Sequence, residues 1–107
     1  MVDIQILPQK TKKFFRVVIF LKEKGVDVDA TLSVTFQLPR SREVIFLPAA
    51  KGAQNYVYPE SSSRFIHRIE KGIYLIHSKN KELFSAKTIA VSALFKGSRF
   101  EALFSVR

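Results

Sequence analysis

The stretch VDVDATLSVTFQL, Val26 to Leu38, decides the fold. Val26, Val28, Ala30, Leu32, Val34, Phe36 and Leu38 take every second position, and Asp27, Asp29, Thr31, Ser33, Thr35 and Gln37 fill the gaps. Successive side chains of an extended chain point to opposite faces, so this period of two predicts a strand with one dry face and one wet face. The dry face needs a cover, and the rest of the chain must supply it.

Upstream, Phe14–Lys22 sets Phe15, Val17, Ile19 and Leu21 on one face and Phe14, Arg16, Val18, Phe20 and Lys22 on the other. Both faces are largely apolar, which predicts a central or doubly covered strand. Gly25 in the link KEKG takes positive φ without steric cost, so a hairpin into Val26–Leu38 is expected. Val2–Leu7 reads as an edge strand that stops at Pro8.

Downstream, Pro39 withholds an N–H and ends the ladder. Glu43–Leu47 is a short strand closed by Pro48, followed by the loop AAKGAQN, a brief extended segment at Tyr56–Tyr58 and a solvated serine turn at Ser61–Ser63. Arg64–Ile69 and Ile73–Ser78 flank a tight connection at Glu70-Lys71-Gly72, and SKNKE is a further turn. Thr88–Lys96 and Arg99–Val106 form a last hairpin around Lys96-Gly97-Ser98. No window of ten or more residues carries a helical period.

About eight short strands without a helix predict an all-β domain over residues 1–107, built as two antiparallel sheets packed face to face. Closure into a small barrel meets the same pattern. Phe36, Phe65, Tyr74, Phe95, Phe100 and Phe104 are the candidates for the interior. Each buried ring contributes about 1.5–3 kcal/mol. A chain of 107 residues makes one such domain, which removes roughly two-thirds of its unfolded surface from water.

The absence of cysteine excludes a disulfide framework, a thiolate metal site and a thiol nucleophile. The opening MVDIQILPQK lacks the basic, apolar and small-residue succession of a signal peptide. The most apolar run, FFRVVIFL, includes Arg16 and is far shorter than the roughly 20 residues that span a bilayer, so no transmembrane segment is expected. Strand pattern reaches both ends of the chain, as in a module of a longer protein or a tightly packed assembly.

Chemistry is hard to nominate. Only His67 and His77 offer an imidazole base, and neither stands in a nucleophile motif such as G-x-S-x-G. Two histidines without cysteine make a poor zinc set, and Met1 is the one methionine. Asp27 and Asp29 point the same way but lack the glycine-turned loop of a calcium site. The four glycines are scattered and form no phosphate loop. No catalytic, cofactor-binding or metal-binding residue is therefore assigned, and enzyme activity is not expected.

Charge is the remaining lead. Eighteen Lys and Arg stand against nine Asp and Glu, a formal +9, which favours an anionic partner such as nucleic acid, acidic polysaccharide, anionic lipid or an acidic protein. Lys10, Lys12, Lys13 and Arg16 cluster near the N-terminus, Arg40 and Arg42 flank Ser41, and Lys79 and Lys81 occupy another loop. The first six are the candidate polyanion contacts. Tyr56 and Tyr58 near Lys51 are candidate stacking platforms, although no RNP-like pattern appears.

The segment IEKGIYLI, Ile69 to Ile76, resembles the acidic-x-Gly-x-Tyr pattern of immunoglobulin-like sandwiches. The likeness implies a structural corner in which Glu70 and Gly72 shape the turn and the Tyr74 hydroxyl bonds back to the preceding corner. Ile76 stands where antibody domains carry a cysteine. The run RVVIFLKEKGVDVDATLSVTF is similar to the opening hairpin of envelope Ig-like and prealbumin-like domains, with Gly25 and Ala30 in the matching places.

The resemblance implies an Ig-like sandwich of seven to eight strands, used as a non-catalytic spacer or protein-binding module of a larger bacterial envelope or secreted protein. An edge strand of such a module can extend a partner protein's or neighbouring domain's sheet. The alternative reading is a small basic domain that binds nucleic acid or another polyanion.

Overall fold

The computed structural model describes residues 2–48 and 65–106, and the expectations for 49–64 lie outside the described residues. Nine strands follow in order: β1 (Val2–Lys10), β2 (Phe15–Glu23), β3 (Val26–Asp27), β4 (Thr31–Gln37), β5 (Glu43–Pro48), β6 (Phe65–Glu70), β7 (Ile73–Ser78), β8 (Thr88–Phe95) and β9 (Ser98–Ser105). Two short 3-10 turns, Pro39–Ser41 and Lys81–Ser85, are the helical elements among the described residues.

Eight strands run in one continuous order, β1-β2-β7-β6-β5-β4-β8-β9, with β3 paired to β2 beside that path. All neighbours are antiparallel except β5 and β6, which pair in parallel through Leu47 with Phe65 and Pro48 with Ile66. At the far margins β1 and β9 approach each other. The architecture is one nearly closed, mixed, barrel-like sheet, which corrects the expectation of two separate sheets in an Ig-like sandwich.

The period-two pattern cannot tell these apart, because a sandwich and a barrel both turn alternate residues inward. What joins the two antiparallel halves is a short parallel pairing, and parallel neighbours need a crossover rather than a readable hairpin turn.

The interior follows the alternation closely. Leu32, Val34 and Phe36 of β4 and Leu38 after it are buried, as are Phe15, Val17, Ile19 and Leu21 of β2. Phe15 meets Phe36 edge-on at 5.4 Å, and Phe36 meets Phe46 at 5.3 Å, so three strands share one aromatic cluster. Among the rings expected inside, Phe36 and Tyr74 are buried, and Phe95, Phe100 and Phe104 pack half-buried against the core. Phe65 instead opens the parallel pairing with 44% of its surface exposed.

Two strand boundaries differ from the pattern. β1 continues through Pro8 to Lys10, since an edge strand tolerates a missing N–H. The long ribbon predicted from Val26 is broken at 28–30, and Val26 is 63% exposed despite its place in the apolar series. The hairpins behave as expected: Lys24-Gly25 and Lys96-Gly97 each place two successive residues at positive φ, the geometry whose twist suits flanking strands.

Candidate polyanion interface

Strand direction sorts the connections into two ends. The β1–β2 link, the 39–41 turn between β4 and β5, and the β7–β8 connection with its 81–85 turn lie at one end. The β2–β3–β4 links, the β6–β7 turn and the β8–β9 turn lie at the other.

Among the described residues the first end carries nine cationic side chains. Lys10, Lys12, Lys13 and Arg16 come from the first link and the strand ends that flank it, Arg40 and Arg42 from the second, and Lys79, Lys81 and Lys87 from the third. Only Glu43 and Glu82 oppose them there. The other end is balanced, with six cations (Lys22, Lys24, Arg68, Lys71, Lys96, Arg99) and six carboxylates (Asp3, Glu23, Asp27, Asp29, Glu70, Glu101). Most of the chain's formal +9 is thus concentrated on one end of the barrel.

Contacts tie the three basic connections into one surface. Lys10 Nζ donates to the Phe84 carbonyl at 3.3 Å, holding the end of β1 against the 81–85 turn, and lies 5.8 Å from the centre of the Phe15 ring. On the other flank Arg42 pairs with Glu82 of the same turn at 2.7 Å. Leu83, at the centre of that turn, is fully buried and anchors it in the core. Asn80 caps the turn by accepting from the Glu82 N–H at 2.9 Å. The basic surface is therefore a band with the 81–85 turn in its middle.

All six cations nominated from sequence fall on this band. Lys10, Lys12, Lys13, Arg40 and Arg42 are exposed, while Arg16 is half-buried and donates from Nε to Gln9 Oε1 at 2.9 Å. Lys87 belongs to the same band and was missed, because it stands alone in sequence between the 81–85 turn and β8. Its backbone N–H donates to the Gln37 carbonyl at 2.8 Å, which brings it beside the arginine turn.

Phe14 and Phe84, the rings carried by the basic connections, are engaged, while Phe65 at the start of β6 is exposed. Phe14 lies 4.8 Å from His77, and Phe84 lies 6.1 Å from Phe15. Tyr56 and Tyr58, the candidate stacking platforms, lie outside the described residues.

The opposite end holds a polar latch. Asp29 Oδ1 accepts from the Gly72 N–H at 2.8 Å, the Tyr74 hydroxyl at 3.1 Å and Arg68 Nε at 3.1 Å, and Oδ2 pairs with Arg68 at 3.0 Å. The Tyr74 hydroxyl also accepts from the Ala30 N–H at 3.0 Å and lies 3.1 Å from the Ala30 carbonyl. A β-bulge between Arg68 and Glu70 accompanies this arrangement. Burial alone would push the Asp29 carboxyl up, but hydrogen bonds from Arg68, Gly72 and Tyr74 outweigh it and hold the group below its ordinary value. Burial pushes the Tyr74 phenol up, and the neighbouring Asp29 charge adds to it against the opposing bond from Ala30.

This latch corrects the corner expected from the immunoglobulin likeness. Tyr74 does not close the turn before its own strand; it reaches across to the break between β3 and β4. Gly72 does shape the β6–β7 turn, with φ of +76°, whereas Glu70 is an exposed residue at the bulge. The Asp29 carboxylate raised as a calcium ligand is engaged by this network.

His67 is buried on β6 opposite Leu75, and His77 is half-buried beneath Phe14. Among the described residues no group of three or more His, Cys, Asp or Glu could hold a metal ion, and no helix is long and apolar enough to cross a membrane. Comparison with protein-family models, with curated proteins and with solved structures finds no match for this chain.

Proposed function

We propose that this protein is a non-catalytic binding domain whose basic end engages a polyanion. The observation that carries the reading is the segregation of charge among the described residues, nine cations against two carboxylates at one end and an even balance at the other. A soluble protein with surplus lysine and no anionic partner has no reason to gather it, because like charges on adjacent loops repel and destabilise the compact state. Long-range attraction of an anionic chain is the compensating use.

Retention on immobilised heparin tests this. The wild-type protein is expected to elute well above about 0.15 M salt, where exposed charges farther apart than about 8 Å are screened. A charge-reversed variant, Lys12→Glu with Lys81→Glu, is expected to elute markedly earlier. Equal elution of the two proteins would refute the assignment.

A protein-contact or spacing role draws on a different surface. The outer side of β5-β4-β8-β9 carries the exposed apolar residues Ile45, Leu47, Leu94 and Leu103 among serines and threonines. A cavity of about 250 Å³ opens there, lined by Thr31, Ser33, Leu47, Ser92, Leu94 and Arg99. Sedimentation that shifts with concentration, or a protein partner recovered on wild type and lost with Leu103→Lys, would support this second reading. The envelope assignment rested on the immunoglobulin likeness and has no support in the barrel-like sheet.

A further inference from the structure

The basic band also bears on which polyanion it fits. Resting on the polyanion reading above, we infer that its partner is double-stranded nucleic acid, gripped through the sugar-phosphate backbone without base readout. Three observations lead there.

First, the cations stand on three separate connections, the β1–β2 link, the 39–41 turn and the 79–87 segment, joined side by side by the Lys10–Phe84 and Arg42–Glu82 contacts. A broad band touches two phosphate strands at once, as a duplex presents them, whereas one flexible strand needs a single track. Duplex DNA also offers one negative charge per about 1.7 Å of axis, a density matched to clustered lysines.

Second, the one exposed ring at this end among the described residues, Phe65 at the start of β6, belongs to none of the three basic connections. Single-stranded chains are held by bases laid on exposed aromatic rings beside the charges. Here Phe14 is covered by His77 and Phe84 packs toward Phe15.

Third, six of the nine cations are lysines, compact point charges that contact phosphate without reading base edges, and Arg42 is already paired with Glu82. The molecule measures 35 × 30 × 20 Å, so one copy covers at most about ten base pairs at 3.4 Å each.

The experiment compares a mixed-sequence DNA duplex of about 20 base pairs, one of its single strands, and heparin, each titrated by fluorescence anisotropy across a salt series. If about five phosphates are neutralised, duplex affinity falls about 500-fold between 50 and 200 mM salt. The duplex is expected to bind at least about tenfold tighter than the single strand, with no preference among duplex sequences. Lys12→Glu with Lys13→Glu, Arg40→Glu, and Lys79→Glu with Lys81→Glu should each weaken duplex binding, while Lys24→Glu with Lys71→Glu at the balanced end should not. All these residues are exposed, and circular dichroism verifies that each variant folds.

A single strand bound as tightly as the duplex, or heparin bound while the duplex is not, overturns the duplex assignment and leaves polyanion binding in place. Failure of all three ligands overturns both.

Discussion

Asp29 and Gly72 lie 43 positions apart, and the Asp29 carboxylate accepts the Gly72 backbone N–H at 2.8 Å. This bond draws the break between β3 and β4 against the β6–β7 turn. Arg68 and Tyr74 converge on the same carboxylate oxygen, so one acidic side chain gathers three donors from two strands and a turn.

The latch predicts an acid-sensitive contribution to stability. The folded Asp29 carboxyl lies below its ordinary value of 3.8, so its stabilisation is complete well above that pH and is lost as pH falls through the folded value. Urea midpoints for wild type and Asp29→Asn should differ at neutral pH by the equivalent of about 1 kcal/mol, a modest figure because the side chain is partly solvated. The gap should narrow below about pH 3.8. A gap that stays constant down to pH 2 would mean the charge at Asp29 contributes nothing.

Tyr74 predicts the opposite limb. Its phenol is raised above its ordinary value of 10.0, so the neutral form is the one the fold favours. Stability from this group is fully present below pH 10 and is lost as pH rises through the folded value. Tyr74→Phe removes the acceptor for the Ala30 N–H and is expected to cost about 1–2 kcal/mol at neutral pH. Thermal melts of the two proteins should converge in strong alkali.

Gly72 is required on two counts. Its φ of +76° disfavours other residues, and a Cβ there would stand 2.8 Å from the Leu21 carbonyl oxygen and 3.1 Å from the Val28 backbone nitrogen. Gly72→Ala should destabilise by about 2–4 kcal/mol, with the steric term added to the conformational one. Gly25→Ala and Gly97→Ala meet open space and should each cost only about 1 kcal/mol. Equal losses at all three glycines in chemical denaturation would contradict the close-approach argument.

Phe36 is the centre of the aromatic cluster, touching Phe15 and Phe46 edge-on. Phe36→Ala leaves a ring-sized void between β2, β4 and β5 and should cost about 3–5 kcal/mol. Phe65→Ala, at an exposed position, should cost under about 1 kcal/mol in the same calorimetric measurement.

The residues themselves announced the strands wherever one face was dry and the other wet. Leu32, Val34, Phe36 and Leu38 went inside as their spacing required, and the lysine-glycine turns formed where glycine stood between alternating runs. The same rule failed at Val26, because pairing of β3 with β2 and the pull of Tyr74 and Gly72 on residues 28–30 break the ribbon. Tyr74 looked like a residue closing its own corner, since a local motif shows which side chain is polar and not which backbone it will reach. The basic candidates were visible in sequence as three unrelated patches, and Lys87 as none.

From its order of residues alone this chain was bound to be all-β, rich in positive charge and free of cysteine, because hydrophobic period, composition and turn chemistry are local properties. Only the folded arrangement decided that the strands form one nearly closed, barrel-like sheet and that nine cations of the described residues meet at one end. Closure depends on a two-residue parallel pairing between β5 and β6, and the charge end depends on which way each strand runs. Both are relations between distant segments, set by the free energy of enclosing a common core rather than by any neighbour along the chain.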